Sequence, residues 1–199
     1  MNIDAQMVKE LRKKTSAGMM DCKKALKATE GDLEKSIEYL RKKGMDAAAS
    51  KFNRQALSGK VESYIHLYGK IGVLIEINCE TDFVANTKEF KEFVKDIAMQ
   101  ITASNPKFIS REDVHNVIIE KEKEIFFAQV EKSGKPAPII EKIVEGKLEK
   151  YFQTNCLKEQ VFIKDNSKNI NQLLLELIAK LGENIVIRRF VRFQLGEET

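Results

Sequence analysis

The stretch KVESYIHLYGKIGVLIEINCE, Lys60 to Glu80, decides the fold class. Val61, Ser63, Ile65 and Leu67 fall on every second position, the spacing that puts side chains on one face of an extended chain. Gly69 supplies a turn, and Ile71, Val73, Leu74, Ile75 and Ile77 form a second, more apolar run. Two such runs about a short turn predict a β-hairpin. Beyond it, Lys88 to Thr102 places Phe90, Phe93, Val94, Ile97, Ala98 and Ile101 on one helical face, suited to packing on the sheet. The chain returns through Val161-Phe162-Ile163, a helix over Ile170 to Leu181, and a strand from Asn184 to Leu195 carrying Ile185, Ile187, Phe190, Val191 and Phe193. The expectation is an α+β core with a mostly antiparallel sheet.

Upstream of the hairpin, Asp4 to Gly44 reads as three short helices, with apolar spacing at Met7-Val8-Leu11, Ala25-Leu26 and Leu33-Ile37-Leu40. Gly18 breaks the first pair, Gly31 marks a helix end, Asp32 caps the third helix and Gly44 stops it. Met45 to Gln55, rich in Ala, Lys and Arg, reads as a helical or semi-flexible linker. The expected division is a three-helix module over 1–44, a linker over 45–56 and a core over 57–199. Within that core, Glu112 to Lys132 and Pro138 to Phe152 predict two charged helices joined by Ser133-Gly134-Lys135-Pro136. They form a helical-hairpin arm over residues 112–153, in which Val114, Ile118, Ile125 and Ala128 face Ile140, Val144, Leu148 and Tyr151.

Composition narrows the function. With 199 residues, 43% of them hydrophobic, the chain is long enough for one good core plus a small module. Lys and Arg number 34 against 30 Asp and Glu, and a net charge of +4 is too weak an excess to argue for nucleic acid, so no direct nucleic-acid partner is expected. The charged, amphipathic Met1 to Lys14 is unlike a signal peptide, and no run approaches the ~20 apolar residues of a bilayer span. A cytoplasmic protein without a membrane partner is expected. Cys22, Cys79 and Cys156 are odd in number and far apart, so reduced thiols are expected, with Cys156 available to cross-link two copies under oxidation.

Residues arranged for reaction chemistry are few. His66, on a strand, and His115, on a charged helix, lack a partner at metal-site or catalytic spacing. There is no phosphate-binding Gly-rich loop and no nucleophile elbow, and Glu120, Glu122 and Glu124 belong to a Lys–Glu alternation of a solvated face. Neither catalytic residue, cofactor nor metal is expected. The unusual junction is Cys79-Glu80-Thr81-Asp82-Phe83-Val84-Ala85-Asn86, where a buried strand ends beside a carboxylate and a large aromatic. Thr81 or Asp82 caps the next helix and Phe83 joins the core, or the aromatic and the carboxylate are shown to a partner; residue types leave both open. Met19-Met20 likewise reads as a core pair or an apolar anchor.

Two motifs carry a resemblance. Thr15-Ser16-Ala17-Gly18-Met19-Met20-Asp21-Cys22-Lys23-Lys24-Ala25-Leu26 and, later, Thr81-Asp82-Phe83-Val84-Ala85 resemble the N-terminal and core signatures of the elongation factor Ts family. The likeness continues through Ser133-Gly134-Lys135-Pro136, Val144-Glu145-Gly146-Lys147 and Val191-Arg192-Phe193-Gln194-Leu195-Gly196-Glu197, and so covers essentially the whole chain. Ser16 stands where the family commonly has Gly. Longer members carry two core subdomains, whereas this chain has one; short members of this kind act as homodimers.

The resemblance implies a ubiquitin-associated-like three-helix module, an α+β core with a coiled-coil arm, and a non-enzymatic guanine-nucleotide exchange factor for elongation factor Tu. It implies that Thr81, Asp82, Phe83 and Val84 form the working edge. Phe83 would wedge between helices of the GTPase while Asp82 helps displace its Mg²⁺. Arg12, Met19 and Met20 would dock the N-terminal module, His66 would join a second contact surface, and two copies would give a two-plus-two complex. Without the resemblance, two readings compete: a peptide or ubiquitin adaptor, which leaves Thr81 to Val84 unexplained, and an RNA-associated protein using Arg41, Lys42, Lys43, Lys51 and Arg54.

Overall fold

A computed structural model describes residues 4–15, 17–132 and 136–197. The chain forms two compact units, Met1–Gly59 with Asn78–Phe90 and Leu173–Val186, and Lys60–Ile77 with Lys91–Gln172 and Ile187–Thr199.

In the first unit, helices α1 (Ala5–Thr15), α2 (Met19–Ala28) and α3 (Leu33–Ala49) close on one another. Val8, Leu11, Cys22, Ala25 and Leu26 form their buried core, ringed by Met7, Ala17, Leu33, Ile37 and Leu40. The punctuation acts as expected: Gly31 takes φ 87° after α2, and the Asp32 carboxylate accepts the Lys35 N–H at 3.0 Å to cap α3. That bond is the main influence holding the Asp32 carboxyl below its ordinary range. Between these helices, the Thr29 hydroxyl lies 2.6 Å from that of the fully buried Ser36. Gly44 does not stop α3, which runs on to Ala49. A Cβ at Gly44 would sit 3.3 Å from that of Ala179, so the glycine serves a close helix approach rather than a helix end. Residues 50–54 then turn, pinned where Asn184 Nδ2 donates to the Phe52 and Arg54 carbonyls at 3.3 and 2.8 Å.

Strands β1 (Ser58–His66), β2 (Ile71–Cys79) and β5 (Ile185–Gln194) form a three-stranded sheet in the order β1-β2-β5. The β5–β2 pairing is antiparallel: Leu195 N–H donates to the Lys70 carbonyl at 2.8 Å, and Arg189 meets Glu76 at 2.6 Å as the numbers run in opposite senses. At the β1–β2 tip Leu67, Tyr68 and Gly69 all have positive φ (47°, 54° and 87°), so the turn needs two non-glycine residues in the left-handed region besides the expected glycine. Along β2, Val73, Ile75 and Ile77 are buried while Leu74 is exposed. Along β5, Ile185 and Ile187 are buried, whereas Val191 and Phe193 are exposed, as are Val61, Ile65 and Leu74 on the other strands.

The second unit also holds α5 (Lys88–Ser104) from Lys91 onward, with Phe93, Val94, Ile97, Ala98 and Ile101 buried as expected. A short hairpin of β3 (Val161–Phe162) and β4 (Asp165–Asn169) follows the arm, and β4 carries no apolar alternation by which it would be foreseen. The fully buried Gln100 bridges this region, accepting the Ile163 N–H at 2.9 Å and donating to the Gln160 side chain at 3.2 Å.

The arm comprises α6 (Asn116–Glu131) and α7 (Ala137–Asn155), with Val130 and Ile140 buried toward its far end. Residues 133–135 of the expected turn lie outside the described residues. The first arm helix begins at Asn116 rather than Glu112, because Ser110 and Asp113 close a 3-10 turn as a capping box and Val114 leaves it extended. Val114, Phe152 and Cys156 form the root core with Phe108, Ile118, Ile119, Leu148 and Tyr151 around them. Over it lies Arg111, bidentate to Glu149 at 2.7 and 2.6 Å, bonded to Glu159, and 4.7 Å from the Phe152 ring. Among the described residues no helix is long and apolar enough to cross a membrane.

Cys156 is fully buried in this root, which withdraws it from surface cross-linking. Burial is the main cause that pushes the Cys79 and Cys156 thiols up to about 11. Both stay protonated in the fold at pH values where an unfolded thiol ionises, so their contribution to stability is full below 9.0 and is lost as pH rises toward about 11. Iodoacetamide at pH 8 is expected to leave Cys79 and Cys156 unmodified until urea is added. Rapid native labelling, read by mass spectrometry, would contradict this burial.

Candidate functional site

The junction after β2 builds an exposed edge from local capping. Thr81, extended at φ −132° and ψ 156°, is the N-cap of a four-residue helix, α4 (Asp82–Ala85), and its hydroxyl accepts the Val84 N–H at 3.4 Å. At the other end, the Asn86 side chain donates to the Asp82 carbonyl at 3.0 Å, and the Thr87 hydroxyl donates to the Val84 carbonyl at 2.7 Å. Thr87 then caps α5 by accepting the Phe90 N–H at 3.2 Å. Val84 and Ala85 are buried, while Asp82 is exposed and Phe83 is 88% exposed. One of the open readings is thus corrected: Thr81 does cap, but Phe83 is no core residue, because a single turn directs Val84 and Ala85 inward and leaves position 83 facing outward.

The edge is fastened by Glu183, which the sequence reading missed. Its Oε2 accepts the Glu80 and Thr81 N–H groups at 3.1 and 3.0 Å, and its Oε1 accepts the Thr81 hydroxyl at 2.6 Å. The bonds are reciprocal, since Asn184 N–H donates to Glu80 Oε1 at 2.7 Å. Arg54 adds an ion pair to the same Glu80 oxygen at 3.6 Å. One acidic residue among 30 carries no mark of this role. The nearby signal is Gly182, whose φ of 81° turns the chain so that residues 183 and 184 reach the end of β2. Beneath the turn, the buried Cys79 thiol donates to the Thr81 carbonyl at 3.2 Å; after burial itself, the Glu183 charge is the next cause keeping it protonated.

The other expected contact residues scatter. Met19 and Met20 open α2 and are exposed, at 56% and 63%, so they are not a core pair: Cys22, Ala25 and Leu26 take the inward face. Arg12 is exposed on α1 in the same unit. His66 belongs to the other unit, half-buried at the end of β1, with Nδ1 3.0 Å from the Tyr64 hydroxyl and its ring stacked on Tyr64. His115 is exposed just before α6. Among the described residues, no cluster of three or more His, Cys, Asp or Glu side chains is arranged to hold a metal ion.

Such an edge presents an exposed aromatic and a carboxylate side by side on a capped turn. The sequence pattern described as Elongation factor TS matches residues 2–197. The chain is 62% identical over 195 residues to "Elongation factor Ts" of Thermoanaerobacter sp. (strain X514), covering 98% of this chain and 96% of that protein. The same identity and length hold for the Caldanaerobacter subterraneus subsp. tengcongensis protein of that name, at 98% of each chain. The Fervidobacterium nodosum protein of that name is 57% identical over 197 residues, covering 99% of this chain and all of that one.

Thr81→Ala removes the cap and the hydroxyl's bond to Glu183, and is expected to cost about 1 kcal/mol of unfolding free energy. Thr81→Ser, which keeps both, is expected to cost less than half of that; equal urea midpoints for wild type and Thr81→Ala would remove the capping role.

Proposed function

This chain belongs to the elongation factor Ts family and is a translation elongation factor, and on that premise we propose that it is the nucleotide exchange factor of a translational GTPase, elongation factor Tu, with Thr81 to Val84 as the inserting edge. The observation that carries the reading is Phe83: a large aromatic, 88% exposed, held on a doubly capped turn. Exposing that surface without a partner forfeits burial worth roughly 1.5–3 kcal/mol. A partner pocket recovers it.

The GTPase grips GDP through phosphate-binding backbone amides and a Mg²⁺ ion. Loosening that grip needs only displacement. Phe83 enters between helices of the GTPase, Asp82 perturbs the arrangement around its Mg²⁺, and Thr81 and Val84 hold the pair in register. The three-helix module over residues 1–44 docks through Arg12, Met19 and Met20, whose exposed methionines adapt to an apolar surface. His66 and the arm contribute further contacts. Factor and nucleotide weaken each other reciprocally, about 1.4 kcal/mol for each tenfold. The setting is the cytoplasm.

The active form in this proposal is a homodimer, each copy serving one GTPase. Support comes from the outer sheet face, where Val61, Ile65, Leu74, Val191 and Phe193 lie exposed on adjacent strands of the three-stranded sheet. A second copy of the same face is a self-complementary cover, as a two-fold interface requires.

Stopped-flow release of a fluorescent GDP analogue from elongation factor Tu tests the first claim. Catalytic acceleration is expected, reduced at least about tenfold by Phe83→Ala and by Asp82→Ala, a loss of ~1.4 kcal/mol. Absence of acceleration at micromolar wild-type protein refutes the reading. For the second claim, sedimentation is expected to show a dimer that Phe193→Asp converts to monomer; a monomeric wild type at tens of micromolar refutes it.

A further inference from the structure

We propose that Glu183 is the positioning residue of the exchange edge, a clasp that fixes Phe83 and Asp82 before any partner arrives. The proposal rests on the exchange function above and adds a residue from a distant part of the chain. Three bonds define it: two from backbone N–H groups of residues 80 and 81 and one from the Thr81 hydroxyl at 2.6 Å. The residue is about a hundred positions away in sequence, on the corner that links α8 (Ile170–Leu181) to β5.

Both carboxylate oxygens are engaged by the edge itself, and the residue is half-buried. Glu183 therefore acts through Thr81 rather than by touching the GTPase. The Thr81 hydroxyl donates to Glu183 and accepts from Val84, so one oxygen couples the clasp to the turn that carries Phe83. The corner is itself held, by the Asn184 bonds to Glu80, Phe52 and Arg54 and by the ion pair of Lys180 with Glu89 at 3.2 Å. Fixing an edge in advance spares the encounter complex the ordering it would otherwise perform. Loss of the clasp should then slow displacement more than docking, because the exposed methionines and the arm are untouched.

The test combines kinetics with hydrogen exchange on the full chain. Glu183→Ala is expected to lower the maximal rate of GDP release about tenfold while changing the half-saturating concentration less than about twofold, since contacts elsewhere set docking. Glu183→Gln keeps an oxygen for the two N–H groups and an amide for Thr81, and should retain most of the rate. In a Phe83→Ala background, Glu183→Ala should cost less than about twofold more, because the two act through one element. Amides of residues 80–87 should exchange faster in Glu183→Ala, with the helical circular dichroism unchanged. A wild-type rate in Glu183→Ala, a Gln variant as impaired as Ala, or costs that multiply fully in the double variant would each overturn the clasp. If the wild type accelerates no release, the exchange function fails on its own. The clasp is then judged by hydrogen exchange, where unchanged protection at residues 80–87 overturns it.

Discussion

A single turn of helix does not hold its own shape in water, because nucleation fixes several residues for one hydrogen bond. The turn at Asp82–Ala85 presents its largest side chain, Phe83, to solvent, so that side chain contributes almost nothing to holding it. Ordering each of its residues costs about 1–2 kcal/mol of conformational free energy. The compensation comes from below and from both ends: Val84 and Ala85 are buried, Thr81 and Thr87 cap, and Glu183 gathers three donors onto one carboxylate. The ordered turn that displays Phe83 rests on that fastening.

The rest of the first unit supports the same corner. Gly44 lets α3 pass close to Ala179, and Asn184 ties the turn after α3 to the end of β2. Arg54 and Glu80 add charge to bonds already made. A partly exposed ion pair at such a distance contributes little alone, and its value is geometric. The methionines of α2 lie exposed outside the module's core, which is complete without them.

In the second unit, an arginine does for the arm what a glutamate does for the edge. Arg111 gathers Glu149 and Glu159 and covers Phe152, so the root of the helical hairpin is fixed by a planar cation with two carboxylate partners. Its hydrogen bond is the first cause holding the Glu149 carboxyl below its ordinary range, so this support persists above the glutamate range and weakens as pH falls below it. On the sheet, Val191 and Phe193 are exposed in the later half of β5, whereas Ile185 and Ile187 at its start are buried.

Period and punctuation determined much of this protein. Alternation along Lys60 to Ile77, the helical stripe from Phe90 to Ile101, and the Gly31-Asp32 boundary each act within a few residues of chain, so they are legible in one dimension. The unusual character of Thr81 to Val84 was legible too, because a carboxylate beside an aromatic at the end of a buried strand is locally odd. Whether Phe83 pointed in or out was not: that depends on which neighbours fill the space beneath the turn. Gly44 misled for the same reason, since a glycine reads as a stop until the facing Ala179 is seen. Glu183 and Arg111 were invisible because a charged residue announces neither its partners nor their distance along the chain. Tertiary structure alone decided which carboxylate holds the edge, because hydrogen bonds across a hundred residues are set by where two strand ends meet.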